Sequence, residues 1–189
     1  MRFKIIASSS IPTNVIVDIE NTLSRAFNAY TRVISIENIP SECYNPLRGQ
    51  YRADLVNIWL MSKYGRDLRG NDYVVAILDV DAYVPGLNFV FGLASPSMRV
   101  ASIYTYRLRF TYPGLKLKKD ELFMLRIRKE VMHEVGHLLG LDHCYNSKCV
   151  MYFSNSILDT DNKDWRYCPE CASKLRGKGI VLNADFIIT

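Results

Sequence analysis

Short runs of apolar residues recur along the first half of the chain at the spacing of a buried sheet. Val, Ile and aromatic residues dominate these runs, and turn residues such as Pro85 and Gly86 separate them, which is typical of strands. The pattern predicts five strands, at residues 3–7, 31–36, 73–78, 88–94 and 100–106. Residues 37–52 are rich in turn formers and are predicted to be a loop.

Apolar residues at a helical spacing predict three helices between and after these strands. The first begins after Pro12, the second covers residues 54–63, and the third covers residues 119–139 and ends at Gly140. The apolar face of the second helix is predicted to contain Leu55, Ile58 and Trp59. This order of elements predicts an α/β (α+β) fold, in which helices pack on a mixed, mostly parallel sheet.

The tail beyond Gly140 has little periodic hydrophobic pattern. We therefore expect a single domain with two lobes, residues 1–140 and residues 141–189, the second small and irregular. A length of 189 residues suits one such domain.

Composition narrows the classes of partner. The net charge of +5 is modest and does not require a nucleic acid, and no stretch approaches the roughly 20 apolar residues of a membrane span. The N-terminal apolar stretch is too short for the core of a secretion signal. We therefore expect a cytoplasmic protein with reduced thiols that binds neither a nucleic acid nor a membrane.

The residues able to bind a metal are concentrated in one region. All three histidines and four of the five cysteines fall between residues 133 and 171, whereas Cys43 stands alone and is predicted to fill a core position. An odd number of cysteines argues against a complete disulfide framework.

The three histidines have the spacing of a catalytic zinc site. His133 and His137 lie one helical turn apart and can bind one ion, while Glu134 can reach a water on that ion without being a ligand. Gly140 permits a sharp turn that returns His143 as the third ligand. Three imidazoles leave a fourth position open for water, and the pattern predicts hydrolysis of a peptide bond with Glu134 as the base. Copper, nickel and cobalt also suit such ligands.

The four clustered cysteines have the spacing of a structural zinc site. Cys144 and Cys149 are separated by four residues, Cys168 and Cys171 by two, and 18 residues lie between the pairs. Four thiolates close the coordination shell, so this site is expected to be structural. Two disulfides, or a redox-active Cys-x-x-Cys pair, are the alternatives.

Together these motifs resemble those of the archaemetzincins, a branch of the metzincin zinc peptidases. The resemblance covers residues 133–171 and includes Met151 after the second cysteine. It implies a zincin-like fold with a long active-site helix, His133, His137 and His143 as catalytic zinc ligands, and Glu134 as base. It also implies Met151 as the Met-turn residue beneath the metal and a second zinc at the four cysteines. Some members are described as aminopeptidases.

The expected protein is therefore a monomeric, two-zinc metallopeptidase that acts on peptides or proteins. The alternative is a zinc-binding module with a vestigial site that binds a peptide or protein partner without cleaving it. By analogy with the family, residues 153–156 are expected to line the specificity pocket. Residues 89–94 are expected to form either an edge strand above the cleft, able to bind an extended peptide, or an ordinary buried strand. The basic run is expected to be a solvated face; it comprises Lys116, Lys118, Lys119, Arg126, Arg128 and Lys129.

Overall fold

The computed structural model describes residues 1–113 and 117–189; Lys116 of the basic run lies outside them. The elements, in chain order, are β1 (Arg2–Ser8), α1 (Thr13–Phe27), β2 (Tyr30–Ile36), β3 (Tyr44–Asn45), β4 (Gln50–Arg52), α2 (Ala53–Tyr64), β5 (Asp72–Leu78), β6 (Ala82–Tyr83), β7 (Gly92–Ser95), β8 (Val100–Tyr104), α3 (Lys119–Leu138), α4 (Ile157–Asn162) and α5 (Pro169–Gly177).

The main sheet has five strands in the order β2-β1-β5-β8-β7. All neighbours are parallel except β7, which pairs antiparallel with β8 and places Leu93 opposite Ser102. The sheet is therefore mixed and mostly parallel, as the sequence predicts. The strand predicted at residues 88–94 begins later, at Gly92, and forms an edge of the sheet.

Helices cover both faces of this sheet. Along β5 every residue is buried, and alternate residues point to opposite faces. Tyr73, Val75 and Ile77 join the core beneath α1 and α3, while the residues between them join the core beneath α2. Continuous burial of a central strand explains why its sequence is a run of apolar residues without polar alternation.

Sequence predictions for α2 and for the segment before it need correction. The prediction for α2 is correct for Leu55 and Trp59, which pack partly buried against the core, and wrong for Ile58, which is exposed. The fully buried residues of α2 are Ala53, Val56, Asn57 and Leu60. The predicted loop before α2 contributes β3 and β4, which form a small second sheet with β6. These strands are only two or three residues long, too short for a periodic signal.

The long third helix is confirmed, and its end follows the predicted turn. α3 ends at Leu138, and Gly140 adopts a left-handed conformation with φ 83°. The amide of Leu141 donates to the Gly136 carbonyl at 2.9 Å, which satisfies one of the free carbonyls of the last turn. The chain therefore reverses beneath the helix end.

The tail is more regular than its sequence suggests. It contains α4 and α5, and its buried side chains belong to the same core as α1 and α3. Among the helices of the described ranges, none is both long enough and apolar enough to cross a bilayer.

Candidate metal centre

The three histidines converge at the end of α3. His133 and His137 project from successive turns with their ring centroids 4.7 Å apart, and the ring of His143 lies 4.8 Å from that of His137. The turn at Gly140 brings His143 back to this position. The three residues offer ligand nitrogens that all lie within 4.8 Å of one another. The convergence predicted from spacing is therefore present in the fold.

Hydrogen bonds to backbone carbonyls fix the orientation of two of these rings. Nδ1 of His133 lies 2.7 Å from the carbonyl oxygen of Val150, and Nδ1 of His137 lies 2.8 Å from that of Leu141. A ring that donates through Nδ1 keeps an unprotonated Nε2 with its lone pair free, the form that binds a metal.

The distance between the Nε2 atoms of His133 and His137 shows whether a metal ion fits between them. They lie 3.1 Å apart, and with both rings donating through Nδ1 neither has a proton to share with the other. Two lone pairs this close repel each other unless a cation lies between them. Tetrahedral zinc with bonds of about 2.0–2.1 Å would place two such nitrogens about 3.3 Å apart, so the donor set fits zinc.

Burial keeps the histidine cluster neutral. It lowers the pKa of His137 and His143 and lowers that of His133 well below its ordinary value, and the Lys163 charge acts in the same direction on all three. Neutral imidazole is the ligand form, so the cluster is prepared for a cation.

Glu134 lies beside the cluster in a tightly packed pocket. Its side chain is buried, and burial together with the nearby Glu130 carboxylate raises its pKa to about 8, whereas the Lys163 charge and the Ala94 backbone amide lower it. Gly92 of β7 packs directly against this carboxylate, and a Cβ there would clash with it. Glu134 is thus held between α3 and the edge strand.

Met151 lies under the same helix. It is fully buried, and its thioether contacts Gly136, where a Cβ would overlap the sulfur. The neighbouring Tyr167 hydroxyl donates to the Met132 carbonyl at 2.6 Å and ties the tail to the helix. Met151 therefore packs directly against the turn of α3 that carries the first two histidines.

The four cysteines form a second cluster. Their ligand atoms lie within 4.8 Å of one another, with 3.8 Å between the sulfurs of Cys144 and Cys168 and 3.7 Å between those of Cys149 and Cys171. Tetrahedral zinc with Zn–S bonds of about 2.3 Å would place two sulfurs about 3.8 Å apart. All four thiols are free, so the geometry matches a metal site rather than two disulfides.

A cleft of about 620 Å³ contains the histidine cluster. Residues from four parts of the chain line it: Val84 and residues 87–91 of the loop before β7; Gly92, Leu93, Ala94 and Pro96; Glu130, His133, Glu134, His137 and residues 140–143; and Phe153, Ser154, Asn155 and Lys163. Part of the expected specificity wall, residues 153–155, and the expected edge strand therefore face the cleft.

Sequence reasoning missed several residues of this cleft. Glu130 and Lys163 line it, and so do Val84, Leu87 and Asn88 before the predicted segment 89–94. Glu130 had a usable signal, because it lies one helical turn before Glu134 and so on the same face. Lys163 had none, because it lies 20 to 30 residues from the histidines along the chain and belongs to no motif with them.

The fold and the site together define the class of protein. A long helix bearing His-Glu-x-x-His, a glycine turn, a third histidine and a buried methionine below them is the arrangement of a zinc metallopeptidase of the metzincin type. Residues 8–177 match the model of Peptidase family M54, and the chain belongs to that family.

Curated relatives agree with this assignment. The archaemetzincin of Methanocaldococcus jannaschii is 44% identical over 146 residues, covering 77% of both chains. That of Pyrococcus abyssi is 38% identical over 180 residues, covering 90% of this chain and 92% of the relative.

Solved structures agree as well. The archaemetzincin of Archaeoglobus fulgidus, solved as a complex with malonate, has a TM-score of 0.74 at 35% identity and covers 92% of this chain and 99% of its own. That of Methanopyrus kandleri has a TM-score of 0.76 at 33% identity, with 94% of each chain covered. The predicted family, fold class, zinc dependence and metallopeptidase class are confirmed.

Proposed function

We propose that this chain hydrolyses peptide bonds at the histidine cluster, with His133, His137 and His143 as ligands of a catalytic zinc ion and Glu134 as general base. The convergence of three neutral imidazoles beside a buried carboxylate carries this proposal. The alternative is a vestigial zinc-binding module, which would bind zinc and a peptide without cleaving the peptide.

In the proposed hydrolysis, the metal and the protein have different roles. When bound, zinc supplies Lewis acidity, which lowers the pKa of water and polarises a peptide carbonyl. Glu134 accepts a proton from the attacking water and delivers it to the amine nitrogen as the C–N bond breaks. Burial and the Glu130 carboxylate raise its pKa in the metal-free protein, and the charge of a bound zinc ion would lower it again.

The substrate is proposed to lie along β7. This strand pairs with β8 on one side only, and its residues face the cleft beside Glu134. An extended peptide can add to such an edge through backbone hydrogen bonds, which would place a carbonyl group above the histidines.

The cysteine cluster is proposed to hold the second zinc in a structural role. Four thiolates leave no open position, and Cys144 follows His143 directly.

Met151 is proposed to support the histidine site from below. Residues 1–140 and 141–189 are proposed to act as two lobes of one domain, since one hydrophobic core crosses the boundary.

A peptide-library digest tests the catalytic proposal. We expect zinc-loaded wild-type protein to cleave peptides, and Glu134→Gln to bind two zinc ions while turnover falls by about 10³-fold or more, because the base is lost and the ligands remain. Mass spectrometry of the products also distinguishes internal cleavage from removal of N-terminal residues. Undiminished turnover in the variant would contradict the assignment of the base.

A further inference from the structure

We propose that the cleft contains a subsite that binds a substrate side chain ending in an oxygen acceptor, a carboxylate or a carboxamide, through Lys163 and Ser154. This inference rests on the proposed peptidase function and adds to it a specificity-determining pair of residues.

Two unpartnered polar atoms point to this subsite. In residues 1–113 and 117–189, the buried side-chain nitrogens and oxygens without a hydrogen-bond partner are Nζ of Lys163 and Oγ of Ser154. Both residues line the same cleft as the histidines. Buried polar groups are normally hydrogen-bonded, because an unpaired one has lost its hydrogen bonds to water without replacement. Two such groups in one cleft indicate a ligand that supplies acceptors.

The contacts of Lys163 leave hydrogen-bond donors of its ammonium group unused. Its ammonium lies 3.1 Å from Oε1 of Glu130, and both side chains are almost completely buried. This ion pair balances the charge, but Nζ of Lys163 has no hydrogen-bond partner, and Oε1 of Glu130 accepts from the Thr160 hydroxyl at 3.2 Å. An ammonium has three N–H donors, so the ion pair leaves donors available.

Lys163 is also distinctive within the cleft wall. Among the described residues that line the cleft, it is the sole lysine or arginine, and the acidic ones are Glu130, Glu134 and Asp142. Because Glu130 already neutralises Lys163, a ligand of this pair does not have to be negatively charged. It has to supply oxygen acceptors, which both a carboxylate and a carboxamide provide.

The position of the pair limits which substrate residue it meets. Glu130 precedes Glu134 by one turn of α3, about 5.4 Å along the helix, and an extended peptide advances about 3.3 Å per residue. The subsite therefore belongs to a residue one or two positions from the cleaved bond. Phe153 and Asn155, on either side of Ser154, are exposed, so the wall is open to a substrate side chain.

A matched peptide series tests the subsite. The peptides differ at one position near the cleaved bond and contain Glu, Gln or Met there, because Met has nearly the shape of Gln without the acceptor. Their binding is measured by fluorescence anisotropy with zinc-loaded Glu134→Ala protein, and their turnover with zinc-loaded wild type. At one position we expect Glu and Gln to be preferred over Met by about tenfold or more in binding, since Met would leave both polar groups unpaired.

Substitutions in the cleft wall show which residues produce the preference for Glu and Gln peptides over Met peptides. Introduced into the Glu134→Ala protein, Lys163→Met should abolish the preference, and Ser154→Ala should reduce it about threefold. Glu130→Gln should raise the preference for Glu over Gln, because a like charge is removed. Lys63→Met is the matched control, since Lys63 is exposed on α2, and it should leave all ratios unchanged.

The outcomes separate this inference from the peptidase proposal. Equal binding of Glu, Gln and Met peptides at every position would overturn the subsite, and so would an unchanged preference in a folded Lys163→Met protein. If Lys163→Met does not fold, the Ser154→Ala and Glu130→Gln ratios decide, and unchanged ratios in both overturn it. Selective binding without turnover in the wild type would contradict the peptidase proposal and leave the subsite supported.

Discussion

At the scale of single residues, two glycines lie where active-site side chains occupy the space that a Cβ would need. Gly92 on β7 faces the carboxylate of Glu134, and Gly136 inside α3 faces the sulfur of Met151 and the ring of Tyr167. Each glycine allows two elements to approach closely. Glu134 and Met151 can therefore pack this closely because glycine has no Cβ at either position.

A substitution of Gly136 measures this close approach. Alanine gains up to about 1 kcal/mol over glycine inside a helix, but overpacking against buried neighbours costs about 1–3 kcal/mol. We expect Gly136→Ala to lower the free energy of unfolding by about 1–2 kcal/mol in urea denaturation of the zinc-loaded protein.

Gly177 is the matched control for that measurement. It lies in α5 with open space where a Cβ would stand, so Gly177→Ala should be neutral or stabilising by up to about 1 kcal/mol. Equal effects at the two positions would show that the contact with Met151 does not matter.

The same two residues show a limit of sequence reasoning. Gly140 was predictable, since a helix that must return a third ligand needs a turn immediately after its end. Gly92 and Gly136 were not, because their neighbours Glu134 and Met151 come from other parts of the chain. A sequence does not show which distant side chain will occupy the space beside a glycine.

At the scale of elements, α3 is polar on a face that the fold buries. The prediction that the basic run is a solvated face is wrong for Arg126 and Lys129, which are buried. Arg126 donates to Asp161 at 2.6 and 2.7 Å, and Nζ of Lys129 donates to the Thr160 and Asp161 carbonyls, each at 2.9 Å. These contacts attach α4, and with it the wall of the cleft, to the active-site helix.

Lys129 gives this attachment a pH dependence. Burial lowers the pKa of its ammonium to about 8, below the 10.5 of an ordinary lysine. Between these two values the unfolded chain binds the proton and the folded chain does not, so the free energy of unfolding rises with pH across this window. Below pH 8 both states hold the proton, and the full cost of burying the charge is present.

We expect Lys129→Met to lose this rise. The measurement is urea unfolding of the zinc-loaded protein at intervals from pH 7.5 to about 10, comparing slopes rather than absolute stabilities. Lys63→Met, altered on an exposed face, should keep the wild-type slope. A variant slope identical to that of the wild type would mean that Lys129 stays protonated in the folded protein.

At the scale of the whole molecule, one hydrophobic core joins the two predicted lobes. Val131, Met132 and Val135 of α3 belong to the same buried cluster as Cys149, Met151 and Tyr167 of the tail. The cysteine cluster therefore stands at the edge of a core that also supports the histidines. Loss of the structural metal should affect the catalytic site, whereas the reverse should not hold.

Single-ligand variants distinguish the two metals. His137→Ala should leave one zinc per chain and change the melting temperature by a few degrees, because its site is open and near the surface of the cleft. Cys171→Ser should lose the other zinc and several kcal/mol of stability, since structural zinc contributes about 10–16 kcal/mol of apparent binding energy in small peptides. Metal analysis and thermal unfolding measure both effects, and equal loss of stability in the two variants would contradict the division of roles.

Local patterns along the chain were enough to predict the central parallel strands, the long third helix, the turn after it and the two clusters of histidines and cysteines. These features are encoded by neighbours along the chain, through apolar runs, helical spacing and ligand spacing. The partners of the buried charges follow from the packing of distant elements, since Glu130 contacts Lys163 and Lys129 contacts α4 across long stretches of chain. Such pairings depend on how elements pack, and packing is set by contacts that no local pattern contains.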